Sequence, residues 1–349
     1  MIHIDGSQGE GGGQILRTAV ALSALTGESL CVKNIRAGRS KPGLRPQHLA
    51  SVRAVAQICD AHIEGDAPGS RALLFEPGRL RPGEYHFNIG TAGSTSLLLQ
   101  AVYLPLALAD GPSQVVLTGG THVKWSPSYD FLERQWAPWL AALGLTVRLR
   151  IDRYGFYPEG EGRIRADIQP WRHWLPLNLA DRGRLRGVHG LSAVANLPES
   201  IARRQLNAVN GRLPRKRYKT DIRIAGAPSR GRGTFVALFA EYESGSACYV
   251  ELGEIGRPAE KVGDAAARAV VQFDTSAATI DEYLADQILL PLALMPGKSR
   301  FSTNYITRHL LTNVAVVKRF LDVEVEIDGL EDHEGTVRVR GRRPEARNG

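Results

Sequence analysis

Between a short apolar strand, Met1 to Ile4, and an apolar helical run from Gln14 lies Asp5-Gly6-Ser7-Gln8-Gly9-Glu10-Gly11-Gly12-Gly13, with Arg17 one turn further on. Five glycines in nine positions let several backbone N–H groups approach one ligand closely. The helix start that follows adds unpaired donors and a partial positive charge. The chemistry this predicts is anion binding, with Arg17 reaching the anion from the first turns. Glu10 is the odd member. A carboxylate beside an anion site makes sense when a divalent cation bridges the two. The plainer alternative is a tight strand-to-helix turn, which would not require the entropic cost of so many glycines.

Three further loops carry polar chemistry. Arg36, Arg39, Lys41 and Arg45 place four cations within ten residues, followed by Gln47 and His48 at a helix start. Cations on such a loop suit phosphate groups. A second loop runs Gly119-Gly120-Thr121 to Phe131, and a third runs Asn304 to Asn313. His309 stands at a loop-to-helix junction, where one ring nitrogen can be held and the other left free to attack. An ordinary surface or core histidine is the competing reading. In Tyr283-Leu284-Ala285-Asp286-Gln287, Tyr283 could cover a purine while Asp286 takes a ribose hydroxyl; helix packing is the alternative for Tyr283 and Leu284. Two familiar phosphate motifs are excluded. A dinucleotide fingerprint started at Gly9 meets Gln14 where it needs glycine, and a Walker loop ending in Gly297-Lys298-Ser299 meets Leu292.

Positioning these loops requires regular elements, and one pattern recurs three times. Apolar helices Gln14–Leu22, Gln100–Leu108 and Gln287–Leu294 are each followed by a Gly-x-Ser stop (Gly27, Gly111, Gly297) and a strand. Each copy continues through its polar loop into a second helix (His48–Ile58, Tyr129–Leu143, His309–Phe320) and another strand. Chance likeness among apolar helices is disfavoured by the shared stop and shared order. Between copies two and three, strands are expected at Gly187–Ala195, Tyr218–Ala225, Thr234–Tyr242 and Cys248–Glu254. Helices are expected at Pro198–Leu206 and Glu260–Phe273. This predicts a small α+β insertion. Its stretch Arg212–Arg232 is strongly basic, which fits a solvated surface or, more sharply, an RNA-phosphate contact.

The chain of 349 residues is long enough for two domains, and its 43% hydrophobic content is that of a globular protein. A net charge of +8 weakly favours a polyanionic partner. No signal peptide and no membrane-spanning apolar run is evident. Cys31, Cys59 and Cys248 are distant from one another and odd in number, which fits a reducing cytoplasm and no metal cluster.

Together the segments Asp5–Arg17, Arg36–Leu44, Gln47-His48, Gly119–Thr121, Tyr283–Gln287 and His309–Asn313 resemble the RNA 3′-terminal phosphate cyclase family, over nearly the whole chain to about residue 340. One departure is Gly155-Phe156-Tyr157-Pro158-Glu159-Gly160-Glu161-Gly162, where Glu161 replaces the middle glycine of a family segment; Tyr154 also stands where Arg or His is usual. The resemblance implies an α/β (α+β) fold of three initiation-factor-like βαβαββ units, about 1–82, 83–170 and 276–340. These would form a large domain (1–180 and 276–340), with a thioredoxin-like domain inserted at 181–275 and a basic tail at 341–349. It implies a ligase-type nucleotidyl transferase. The histidine matching His309 takes AMP from ATP, the AMP passes to an RNA 3′-phosphate, and the ribose 2′-OH closes a 2′,3′-cyclic phosphate. By the same resemblance Glu10 holds Mg²⁺ or Mn²⁺. Arg17, Arg36 and Arg39 face phosphates, and Gln47 and His48 lie in the same pocket. Gln100, Pro127, Phe131, Tyr283, Leu284, Ala285, Asp286 and Gln287 bind the nucleoside. RNA and ATP are the implied partners, with the oligomeric state open, a homodimer included. Two other readings are a non-catalytic ribosome-assembly relative, against which His309 counts directly, and an enolpyruvyl-transferase-like enzyme built on related repeats.

Overall fold

The computed structural model describes residues 1–214 and 216–343. Strand β1 (Ile2–Asp5) leads through the glycine loop into α1 (Gly13–Thr26), then β2 (Leu30–Lys33), α2 (Pro46–Cys59), β3 (His62–Glu64) and β4 (Leu73–Glu76). β1 and β2 are parallel, joined across α1, and the sheet order is β1-β2-β4-β3. The second unit repeats this with β5 (Glu84–Asn88), α3 (Thr95–Ala107), β6 (Ser113–Gly119), a broken helix, β7 (Val147–Arg153) and β8 (Gly162–Ile168), in the order β5-β6-β8-β7.

After an intervening segment the third unit follows. It holds α8 (Glu282–Leu294), β13 (Gly297–Thr303), α9 (Arg308–Phe320), β14 (Glu324–Asp328) and β15 (Gly335–Gly341), in the order β13-β15-β14. Its first strand has shrunk to one residue, Ile280, which bridges in parallel to Thr303. The βαβαββ repeat therefore holds in all three units. α3 is buried at every position except Gln100, and α1 and α8 are nearly as apolar. α1 packs against α9, α2 and α3, and α8 against α9, so the units share a helical interior with their sheets outside.

Between units two and three, β9 (Leu185–Ala195), α6 (Glu199–Arg212), β10 (Thr220–Gly226), β11 (Gly233–Tyr242), β12 (Ser246–Leu252) and α7 (Ala259–Thr275) form a sheet of order β10-β9-β11-β12. Its parallel βαβ followed by an antiparallel pair and a helix is the thioredoxin-like order the resemblance implied. β11 shows how one strand serves two cores. Val236, Leu238 and Ala240 pack under α6 and α7, while Phe235, Ala237 and Phe239 alternate into the main core.

Several local expectations change. Only Gly27 is a helix stop, in the left-handed conformation and bonded to Ser23; α3 and α8 end before Gly111 and Gly297. The helix expected over Tyr129–Leu143 is α4 (Tyr129–Phe131), a π-helical stretch Leu132–Trp136 and α5 (Ala137–Ala142). Pro138 has no N–H to donate, and the wider turn absorbs the missing bond. Glu161 takes φ +50, the left-handed region that explains a glycine in the family segment. Its carbonyl accepts from Arg153 and its carboxylate pairs with Arg230. Arg212 and Arg217 of the basic stretch likewise pair with Asp264 and Asp274, which favours the surface reading; Arg215 lies outside the described residues. Of the arginine-rich end, Arg338 and Arg340 belong to β15, and residues 344–349 lie outside the described residues.

Candidate active site

Loops from all three units and the inserted sheet line one cleft of about 1110 Å³. It lies beyond the carboxyl ends of the parallel strands, where helix N-termini converge.

The glycine loop docks on α9. Glu10 N–H donates to Thr312 Oγ1 at 3.0 Å. Gly9 has φ +58, and a Cβ there would sit 2.3 Å from that hydroxyl, so only glycine permits this approach. Glu10 Oε1 accepts from Gln14 N–H, covering one open donor of α1. Its Oε2 accepts from Arg39 at 2.7 Å, and Arg39 also reaches the Glu10 carbonyl. Gly13 plays a second spatial role. A Cβ there would lie 2.5 Å from His48 Nε2 and 2.9 Å from an Arg17 nitrogen, so its absence lets both side chains close over the first turn of α1.

His48 Nδ1 accepts from Arg45 N–H at 3.1 Å, which leaves Nε2 as the protonated nitrogen facing the cleft. Burial, then Arg17, Arg36 and Arg45, press its pKa down to about 3, so it is a neutral donor at any ordinary pH. Burial also draws Arg17 down to about 10 against the pull of Glu10; it remains charged. Arg36 spends donors on the carbonyls of Lys41 and Gly43 and so braces its own loop while lining the cleft. Gln47 Oε1 accepts from Ser94 N–H, joining units one and two at the cleft floor.

His309 is the second residue of α9, after the N-cap Thr307. Its Nδ1 lies 2.5 Å from Gln14 Oε1. An amide oxygen can only accept, so Nδ1 carries the proton and the Nε2 lone pair is free. Burial, with Arg17 and Arg39, lowers its pKa below the usual imidazole value, partly offset by Glu10. The helix N-terminus acts in the same direction. Thr307 donates to Asp286 Oδ1 at 2.6 Å, Asn313 Nδ2 donates to the Asp286 carbonyl, and Thr18 donates to Asn313 Oδ1. This network ties α1, α8 and α9 behind the imidazole.

Tyr283, Asp286, Gln287 and Leu290 recur at helical spacing along one face of α8 and line the cleft opposite Pro127 and Phe131. Leu284 and Ala285, expected among the nucleoside-binding residues, are fully buried in the main core and do not line it; they point from the opposite side of the helix. Gln100 is the sole partly exposed position of α3, and its Nε2 is buried without a partner among the described residues. Such a donor awaits an acceptor. Asp286 is held well above the ordinary carboxylate range by burial, with Thr307 on one oxygen.

Glu10, Arg17, Arg36, Arg39, Gln47, His48, Gln100, Pro127, Phe131, Tyr283, Asp286, Gln287 and His309 thus all line one cleft. Gln14, Thr18, Thr307, Thr312 and Asn313 received no role from sequence. Their signal was present in spacing: Gln14 follows Glu10 by four, and Thr312 and Asn313 follow His309 by three and four.

The fold and cleft define a repeat-built α/β protein in which a cation cluster and a glycine loop share one cleft with an imidazole whose Nδ1 is held by Gln14. The family model described as RNA 3′-terminal phosphate cyclase matches residues 8–327, and the chain belongs to that family. It is 46% identical over 347 residues to the RNA 3′-terminal phosphate cyclase of Methanopyrus kandleri, covering 97% of this chain and 99% of the relative. Identity is 45% to that of Ralstonia nicotianae (95% and 94% covered) and 43% to that of Koribacter versatilis (95% and 93%). Among solved structures, the enolpyruvyl transferase NikO from Streptomyces tendae aligns with a TM-score of 0.43 at 13% identity, over 99% of this chain and 49% of that one. That likeness is too slight to bear on chemistry. No described helix is long and apolar enough to cross a membrane.

Proposed function

We propose that the protein converts an RNA 3′-phosphate to a 2′,3′-cyclic phosphate at the expense of ATP, through AMP bound covalently to His309. The observation that carries this reading is the Gln14–His309 contact, which leaves Nε2 unprotonated beside Arg17 and Arg39. A phosphate monoester has no good leaving group and must be activated first. The Nε2 lone pair attacks the α-phosphorus of ATP, the P–O bond to the β-phosphate breaks, and pyrophosphate departs. A terminal RNA phosphate oxygen then displaces the imidazole, breaking the P–N bond. Finally the 2′-OH attacks the activated 3′-phosphorus, loses its proton and expels AMP.

The cleft's own residues divide the work. Arg17, Arg36, Arg39 and Arg45 offset phosphate charge, and His48 adds a neutral N–H donor. Tyr283, Phe131 and Pro127 offer faces to adenine, and the unpartnered Gln100 amide supplies a donor. Among the described residues no group of three His, Cys, Asp or Glu side chains is placed to hold a metal. Glu10 alone fits Mg²⁺ or Mn²⁺ bridged by substrate phosphates, the usual mode for Mg²⁺. Such an ion would stabilise charge on the departing pyrophosphate. The separated, unpaired cysteines accord with a cytoplasmic setting.

Incubation with α-labelled ATP and Mg²⁺ tests the reading: label should stay on the denatured protein and leave on addition of RNA 3′-phosphate. An active preparation that retains none supports a binding protein instead. The acid limb of labelling should lie below pH ~6.5, because the neutral ring is the nucleophile and its pKa is lowered. The rate should rise as pH climbs through that lowered value and then level. A limb at or above pH ~6.5 contradicts the assignment.

Gln14 offers a separate check. Gln14→Leu leaves Nδ1–H unpaired and releases the ring, so adenylylation should fall roughly 10- to 100-fold. Gln14→Glu places an anion on the imidazole and should move the acid limb to higher pH. Equal profiles for both variants and the parent would remove Gln14 from ring positioning.

A further inference from the structure

Trp125 is the exposed member of the chain's five tryptophans, with 95% of its surface open. It also holds φ +63, an unfavourable conformation for a bulky L-residue. An aromatic side chain kept in water on a strained backbone has no packing return on its cost, and such strain gathers at ligand-handling segments. Trp125 stands on the loop between Gly119 and Phe131 and lines the lip of the cleft with Lys124 and Arg257. Ser126 Oγ donates to the Val123 carbonyl, closing the loop beneath it. The neighbouring Lys124 pairs with Glu254 of the inserted sheet's following loop, where Ile255 is fully exposed. Two large apolar side chains thus sit on facing loops that an ion pair ties together.

The lip differs from the interior. Lys124 and Arg257 are already paired with Glu254 and Glu251, so the lip offers apolar surface with its charges matched. Arg17, Arg36, Arg39 and Arg45 line the same cleft, Arg17 and Arg39 beside His309 and Arg36 and Arg45 beside His48. The cation cluster suits phosphate, and the lip suits the flat face of a base. We propose that Trp125, beside Ile255, is the stacking platform for one of the last two bases of the RNA whose 3′-phosphate enters the cleft. The proposal rests on the cyclase reading above. The platform explains how an RNA end can be held irrespective of sequence, since every base presents a π-face.

The test uses the full chain with ATP, Mg²⁺ and a short RNA ending in a 3′-phosphate. Trp125→Ala should raise the RNA KM about 10-fold, within the range for losing one stacked base, while Trp125→Phe stays close to the parent. Both substitutions keep an L-residue at the same φ, so backbone strain is common to them. Labelling of His309 by ATP should keep its rate in both. With an RNA lacking its last two bases, the parent and Trp125→Ala should converge in KM.

An unchanged RNA KM in Trp125→Ala, or a gap that persists with the abasic RNA, overturns the platform. A slowed ATP labelling step would place Trp125 against adenosine and also overturn it. A change in sedimentation without a change in RNA KM would make the lip a protein interface, again against the proposal. Failure of the parent to be labelled by ATP counts against the cyclase reading itself, and so is separable from each of these.

Discussion

His309→Ala should retain no AMP after denaturation and should lose cyclisation by roughly 10⁴-fold or more, the scale for removing a nucleophile that acts within a unit. The structure makes this a clean experiment. His309 is exposed at the start of α9, with Gln14 as its side-chain hydrogen-bond partner. The helix is capped by Thr307 and anchored through Asp286 and Asn313, none of which needs the imidazole. Folding and ATP binding should therefore persist, and a thermal melt near that of the parent would confirm it. A variant that still carries label at the parental rate would move the nucleophile elsewhere. Mass spectrometry of the denatured parent should locate the adduct on the peptide containing residue 309. An adduct on any other residue, or none under turnover conditions, would sink the mechanism.

Glu10→Gln is expected to slow adenylylation about 100-fold or more, comparable to losing an electrostatic stabiliser of transition-state charge. The carboxamide oxygen can still accept from Gln14 N–H, while the NH2 in place of Oε2 loses the Arg39 side-chain bond; Arg39 keeps its bond to the residue-10 carbonyl, so the cover on α1 and the loop geometry survive. The negative charge disappears. Glu10 raises the His309 pKa, so removing it lowers that value further and leaves the imidazole more fully neutral. The predicted loss therefore cannot arise from a protonated nucleophile; it reports the missing anionic ligand for a divalent cation. The Mg²⁺ concentration needed for half-maximal labelling should rise in step. Unchanged labelling across a metal titration would remove Glu10 from that role and leave it as the partner of Arg39.

The most legible parts of this chain were those whose signal is local. Five glycines before an apolar helix, four cations in a ten-residue loop and a histidine at a helix start are each visible without a fold, because backbone freedom, charge and capping act over a few residues. Repetition of helix, loop and strand was equally open to reading, and the three matching sheet orders follow from it. Periodicity left open which residues of a continuous motif face the cleft. Tyr283 to Gln287 is a continuous motif in sequence, yet helical geometry turns Leu284 and Ala285 into the core and leaves Tyr283, Asp286 and Gln287 facing the cleft. The π-helical stretch within the helix over Tyr129–Leu143 had a local cue in Pro138, which has no N–H to donate.

Residue types and short spacings alone were enough to point to an anion site beside a cation cluster and a histidine, and to show that the chain repeats one unit. Tertiary packing decided which groups meet. Gln14 and His309 lie 295 positions apart, and so do Thr18 and Asn313; only the packing of α1 against α9 makes them partners. That contact selects the ring nitrogen bearing the proton. Desolvation within the cleft and the charges around each ring, set by the third dimension, lower the pKa of both His48 and His309.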